Sequence, residues 1–167
     1  MPKVYVSIGS NVEPERHVRY ALGALRERFG ELDVSPVYRT AAVGFEGDDF
    51  LNLAVGFATD EAVEAVDAAL DAIEASAGRD RDAARFAPRT LDLDLLLYGD
   101  AVIDAGGIRV PRKEITRYAF MLRPLADIAG DFRHPQTGET MLDLLRMQDF
   151  SRQRCEPAAF DTDWQGH

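Results

Sequence analysis

Apolar and polar positions alternate through the opening VYVSIGSN, residues 4–11, which predicts a central strand ended by a Gly-Ser-Asn turn. The period then lengthens. Val18, Ala21, Leu22, Leu25 and Phe29 fall on one helical stripe, with Pro14 suited to the first turn and Gly30 to the stop. Residues 32–40, LDVSPVYRT, return to a strand pattern in which Pro36, unable to donate to a ladder, favours an edge position. After the loop AAVGFEGDD, residues 50–57 predict a buried strand with Leu51, Leu53, Val55 and Phe57 on one face and Phe50 and Asn52 on the other. Thr59 and Asp60 are candidate caps for a second helix, whose stripe runs Val63, Val66, Leu70, Ile73, Ala77 until Gly78. A polar loop, GRDRDAARFAPR, leads into PRTLDLDLLLY, residues 88–98. Alternation there puts Leu91, Leu93, Leu95 and Leu97 on one face and Asp92, Asp94, Leu96 and Tyr98 on the other.

The order β-α-β-β-α-β predicts an α+β fold of the ferredoxin-like kind, an antiparallel sheet with two helices on one face. GDAVIDAGGIRVP adds a hairpin turning at its Gly-Gly pair, and short helical segments follow near residues 122–129 and 140–148. A length of 167 residues with 46% hydrophobic content fits one well-cored domain, expected over residues 1–150. Residues 151–167 read as a polar tail without periodicity, in which Phe160 and Trp164 are able to dock.

A net charge of −10 opposes broad nucleic-acid binding, and the basic, aromatic sheet face of an RNA-binding module is missing. The charge is uneven, however: from Arg79 to Arg117 eight Arg or Lys stand against seven Asp or Glu, a balance of +1 that would draw a small anion. No apolar run approaches the ~20 residues that a membrane helix needs. Cys155 is the sole cysteine, which excludes an internal disulfide and a thiolate metal cluster and fits a reducing cytoplasm.

Asp92 and Asp94, one residue apart on a strand, stand ~7 Å apart along the chain. A solvated strand face is one reading of them; a site bracketing a divalent ion, or a pair of ions, is the other. Hard oxygen donors without His or Cys favour Mg²⁺, which shares its coordination with substrate phosphates. A glycosidase pair would have to face each other across a sugar, whereas these acids point the same way. Arg79, Arg81, Arg85 and Arg89 supply cations for a triphosphate. No P-loop or kinase glycine loop is present, and Gly9 is expected to serve a tight turn. His17, His134 and His167 read as structural or exposed.

IGSN, YRTAAVG followed by FLNLAV, and above all PRTLDLDLLLYGD resemble the 6-hydroxymethyl-7,8-dihydropterin pyrophosphokinase family, over residues 3–130. The resemblance implies a ferredoxin-like fold and transfer of a pyrophosphoryl unit from ATP to a reduced pterin alcohol, releasing AMP. It implies that Asp92 and Asp94 hold two Mg²⁺ ions, and that Arg79 and Arg89 act with them in catalysis. Glu74, Arg81, Arg112 and Arg117 would contact ATP. Phe50 and Phe120 would sandwich the pterin, Asn52 would hydrogen-bond it, Thr40 to Val43 would complete the pocket, and Phe86 would close over it where the family usually has tryptophan. ATP and the pterin are then the partners of a cytoplasmic monomer.

Three features depart from the family pattern. VPRKE places Arg112 where Val-Pro-His is common, the arginine before the Ala/Gly-Phe pair falls on Tyr118 with Arg117 one place earlier, and Ala41-Ala42 replaces a proline-containing turn. These departures leave open an alternative, a catalytically weakened paralogue that binds pterin or nucleotide in a regulatory role.

Overall fold

The computed structural model describes residues 1–42, 47–77 and 91–160. It is organised around β1 (Lys3–Ser10), a strand buried almost throughout. A buried strand needs partners for its backbone on both edges, and β4 (Phe50–Ala58) and β5 (Asp92–Tyr98) supply them, each antiparallel to β1. On its far edge β4 carries two short strands, β2 (Asp33–Val34) and β3 (Tyr38–Thr40). The order β5-β1-β4-β3, antiparallel at every step, is the arrangement expected of a ferredoxin-like unit.

Helices cover both faces. On one, α1 (Pro14–Phe29) and α2 (Val63–Ser76) pack Val18, Leu22, Leu25, Val66 and Leu70 against Val4, Val6 and Ile8 of β1. On the other, α3 (Ala119–Ala129) and α4 (Met141–Met147) pack Leu122, Leu125, Met141 and Leu144 against Tyr5, Ala54 and Leu97. Each such side chain contributes roughly 1.5–3 kcal/mol on burial. Packing rather than capping therefore holds α1 and α2, neither of which has a side-chain N-cap bond. Thr59 and Asp60 are not the caps their positions suggested: Ala62 occupies the cap, and Thr59 Oγ1 accepts from Glu61 N at 3.1 Å instead. Phe29, at the end of the predicted α1 stripe, stacks on Phe57 with ring centroids 4.2 Å apart.

Two expectations about strands are corrected. The register of β1 with β5 shifts between Tyr5 and Val6, which pair with Leu97 and Leu95, so Leu96 is an extra residue on β5. The bulge resets the alternation: Leu96 and Leu97 both join the α3 and α4 core, and Tyr98 packs on the α1 and α2 side. Secondly, Pro36 splits the predicted second strand in two: β2, paired with β4 alone among the described residues, keeps the expected edge position, while β3 is covered by a further strand. Ser35 bridges the break, donating its N–H to Ala54 O at 2.9 Å and accepting from Ala54 N through Oγ at 2.8 Å. The segment read as an aperiodic tail then covers β3 with β8 (Cys155–Pro157), and Phe160 packs against the core with the Arg19 guanidinium 5.0 Å from its ring centroid.

The hairpin is where the pattern placed it, as β6 (Ile103–Ala105) and β7 (Ile108–Val110). Gly106 and Gly107 turn it with φ of 63° and 80°, conformations that side chains resist. Beyond it, a 3₁₀ turn (Lys113–Thr116) leads into α3.

His134 is structural. Its ring is buried, and Nδ1 accepts from Gln136 N at 3.1 Å and Thr137 N at 3.3 Å, so the turn into α4 depends on the neutral ring. Burial lowers its pKa, with Glu139 opposing. A lowered histidine pKa means stability that is fully present above the unfolded value, ~6.5, and is lost as pH falls below it. The urea midpoint of the native protein should therefore fall more steeply between pH 7 and pH 5 than that of His134→Asn; parallel profiles would contradict this.

Candidate active site

β5 is the outer strand of its sheet, so its outward N–H and C=O groups need partners from elsewhere. Glu74, in the last turns of α2, takes the Leu93 N–H through Oε1 at 2.7 Å. Arg112, just past the hairpin, donates its backbone N–H to Leu96 O at 2.9 Å. The two anchors set α2 and the hairpin beside the open edge of β5, around a cleft of about 400 Å³. Asp92 and Asp94 line it with Glu74, Asp67, Asp71, Arg109 and Arg112.

Asp67, Asp71 and Arg109 are residues that sequence reasoning missed. A signal existed for the acids: Asp67, Asp71 and Glu74 follow at i, i+4, i+7 and so share a helical stripe. Arg109 carried no such signal, because its place beside the acids depends on how the hairpin folds back. Glu74, expected at ATP, spends one carboxylate oxygen on the strand edge.

The cleft carries a surplus of negative charge. Burial pushes the Glu74 carboxyl up to about 7, held back by its hydrogen bond to Leu93 and pushed further by Asp92, Asp94 and Asp71. Burial, and then Asp71, also raises Asp67. Arg112 provides counter-charge, with Nη2 3.6 Å from Asp94 Oδ1 and Nε 3.6 Å from Glu114 Oε2. Such an all-oxygen, anionic donor set fits a hard divalent cation such as Mg²⁺. Among the described residues no three His, Cys, Asp or Glu side chains are grouped closely enough to enclose an ion. A cation here would complete its shell with water and ligand oxygens, which Mg²⁺ does readily.

Across β1 the register carries the site to a second set of residues. Gly9 pairs with Asp92 on one side and Asn52 on the other, and Thr40 pairs with Phe50. Asn52 is buried and donates Nδ2 to Thr40 Oγ1 at 2.5 Å. Gly9 lies within β1 and not in the turn expected of it. Its missing side chain is what matters, since a Cβ there would lie 2.7 Å from Asn52 Oδ1 and 3.8 Å from Phe50 Cδ1. Phe120, in the first turn of α3, stacks on Tyr118 with centroids 5.3 Å apart. Arg117 is exposed and is not among the residues lining the acidic cleft. Val43, Arg79, Arg81, Phe86 and Arg89 lie outside the described residues.

The profile of the family described as 7,8-dihydro-6-hydroxymethylpterin-pyrophosphokinase (HPPK) matches residues 5–130. The chain belongs to this family. The 2-amino-4-hydroxy-6-hydroxymethyldihydropteridine pyrophosphokinase of Pseudomonas aeruginosa is 41% identical over 138 residues, covering 80% of this chain and 84% of that one. Its counterpart from Aquifex aeolicus is 32% identical over 139 residues, covering 81% and 85%. Among solved structures, HPPK-DHPS in complex with substrates superposes with a TM-score of 0.72 at 12% identity, covering 87% of this chain and 43% of that one. Wild-type Plasmodium falciparum HPPK-DHPS with SDX-DHP gives 0.67 at 12% identity, covering 88% and 43%. The chain thus spans less than half of those two structures' chains, and at that identity the likeness carries the fold alone.

Gly9→Ala should destabilise by about 1–3 kcal/mol through overpacking against Asn52. Urea titration should find a smaller cost in an Asn52→Ala background; an unchanged cost would place the clash elsewhere. For Glu74 the sign follows from a raised carboxyl pKa: the cost of ionising it in the fold is absent below about 4.5 and fully present above about 7. Glu74→Gln keeps an oxygen for Leu93 N–H and lacks that cost. In the absence of divalent cations, its urea midpoint should gain on the native protein between pH 5 and pH 8, and a gap independent of pH would contradict the assignment.

Proposed function

We propose that this chain transfers a pyrophosphoryl group from ATP to the hydroxymethyl group of 6-hydroxymethyl-7,8-dihydropterin, releasing AMP, as a step of folate biosynthesis. The observation that carries the proposal is the pair Asp92 and Asp94, on the edge strand of an HPPK-family chain and set beside Arg109 and Arg112 in one cleft.

In the reaction the pterin hydroxyl oxygen bonds to the β-phosphorus of ATP. The bond from that phosphorus to the oxygen bridging it to the α-phosphorus breaks, AMP leaves with the electron pair, and the hydroxyl proton passes to water. The chain's contribution is positioning and charge neutralisation. Asp92 and Asp94 hold Mg²⁺, two ions by the family resemblance. When bound, Mg²⁺ neutralises phosphate charge and lowers the pKa of the acceptor hydroxyl. Arg109 and Arg112 face the phosphates from the hairpin, and Arg79, Arg81 and Arg89 complete the cation set, with Arg117 remaining a candidate ATP contact. Arg112 can bind phosphate where the family commonly has histidine, but it stays charged throughout and cannot exchange a proton.

Phe50 and Phe120 stack on the pterin, Asn52 hydrogen-bonds its edge, and Thr40 completes the pocket, with Val43 and Phe86 as further contacts by the family resemblance. Support comes from the register, which sets Phe50, Asn52 and Thr40 on the same sheet face as the two acids. A cytoplasmic monomer remains part of the proposal.

Incubation with ATP, Mg²⁺ and the reduced pterin alcohol should yield AMP and the pterin diphosphate, and chelation should abolish the product. ADP would indicate an ordinary kinase, and binding of both ligands without AMP would favour the regulatory alternative. Asp94→Asn should lower turnover by on the order of 10²-fold or more, by analogy with the loss of one charge-stabilising group, while its circular dichroism stays native. Unchanged kinetics would refute the metal assignment.

A further inference from the structure

The residues after Phe150 lie beyond the span matched by the family profile, yet three consecutive ones grip the proposed pterin pocket. Gln153 brackets Tyr118: its Oε1 accepts from Ala119 N at 2.8 Å, and its Nε2 donates to Arg117 O at 3.0 Å. Arg154 forms an ion pair with Asp49. Cys155 pairs in register with Thr40, whose hydroxyl receives the Asn52 amide.

The sequence positions give these contacts their meaning. Ala119 immediately precedes Phe120, and Asp49 immediately precedes Phe50. The two rings belong to different elements, α3 and β4, so no local backbone geometry fixes the gap between them. Gln153 and Arg154 are neighbours with Cα atoms ~3.8 Å apart, and each holds the residue before one ring. Pairing of β8 with β3 anchors this short strap to the sheet, and Ala158 N bonds Val37 O at 2.9 Å just beyond it.

We propose that Gln153 and Arg154 are positioning residues that set the spacing between Phe50 and Phe120, and so the affinity for a flat bicyclic ring inserted between them. The proposal rests on the reading of Phe50 and Phe120 as the pterin-binding pair. Dispersion and stacking fall away within a fraction of an ångström to an ångström of excess gap. A loosened strap therefore acts on the pterin and leaves the nucleotide cleft on the far side of β1 unaffected.

The test measures two dissociation constants on the full chain: that of 6-hydroxymethylpterin by fluorescence, and that of Mg²⁺ with a non-hydrolysable ATP analogue by calorimetry. Gln153→Ala and Arg154→Asp should each weaken pterin binding by about tenfold, a size typical of lost positioning, and change nucleotide binding by less than about twofold. The charge-swapped double variant, Asp49→Arg with Arg154→Asp, should bring pterin affinity back to within about threefold of native; this readout also guards against a single variant that folds poorly. Equal weakening for both ligands, failure of the swap to restore affinity, or unchanged pterin binding in the single variants would each overturn the strap as a positioning device. If the native chain binds the nucleotide analogue but not the pterin, the pocket reading fails and the inference fails with it.

Discussion

A buried backbone donor needs a partner, and on the outer strand β5 the N–H of buried Leu93 is satisfied by the carboxylate of Glu74. Much of the cleft follows from that one bond. It draws the end of α2 against the strand edge and brings Asp67 and Asp71 to face the same space as Asp92 and Asp94. Leu93 lies between those two acids in sequence, so the bond that fixes the strand also concentrates negative charge around it. The raised pKa of Glu74 is the local sign of that crowding, with burial as the larger cause. Arg112 answers from the other side, with its backbone on Leu96 and its guanidinium near Asp94. Fold and site share atoms here: the groups that pair the edge of β5 also line the acidic cleft, whose surplus negative charge favours a cation.

The second constraint is lateral. Neighbouring strands lie ~4.8 Å apart, and Gly9 of β1 pairs with Asp92 on one side and Asn52 on the other. The acids and the buried amide are therefore held about 10 Å apart by two strand spacings. On the proposed function, that separation would set the acceptor's ring at one end and its hydroxyl toward the phosphates at the other. The absent side chain at Gly9 leaves room for the Asn52 amide between them. The C-terminal strap adds a third connection, tying the start of α3 and the approach to β4 to the outer edge of β3.

Much of this was legible along the chain because it depends on local geometry. The α1 stripe, the Gly-Gly hairpin and the order of the core elements follow from periodicity and turn chemistry, which neighbouring residues settle among themselves. Alternation failed at Leu96 and Leu97 for a physical reason. Both sheet faces are covered by helices, so an apolar pair satisfies either register, and only pairing with β1 reveals the extra residue. The cap expected at Thr59 or Asp60 failed because packing of Val63, Val66 and Leu70 sets where α2 begins. The strand at Cys155–Pro157 gave no signal because ladder bonds are made by the backbone, and a polar, irregular segment can supply them.

By itself the sequence determined that two carboxylates share one face of a rigid strand, that Phe50 and Asn52 share a face of another, and that the surrounding stretch is rich in arginine. Those are consequences of side-chain alternation and composition, which need no knowledge of the fold. The tertiary structure decided which groups meet the acids, how Gly9 makes room for Asn52, and which C-terminal residues bond the neighbours of Phe120 and Phe50. Those contacts join positions such as Glu74 and Leu93, 19 residues apart, or Arg117 and Gln153, 36 apart. Separations of that size are closed by register and packing, which no local pattern encodes.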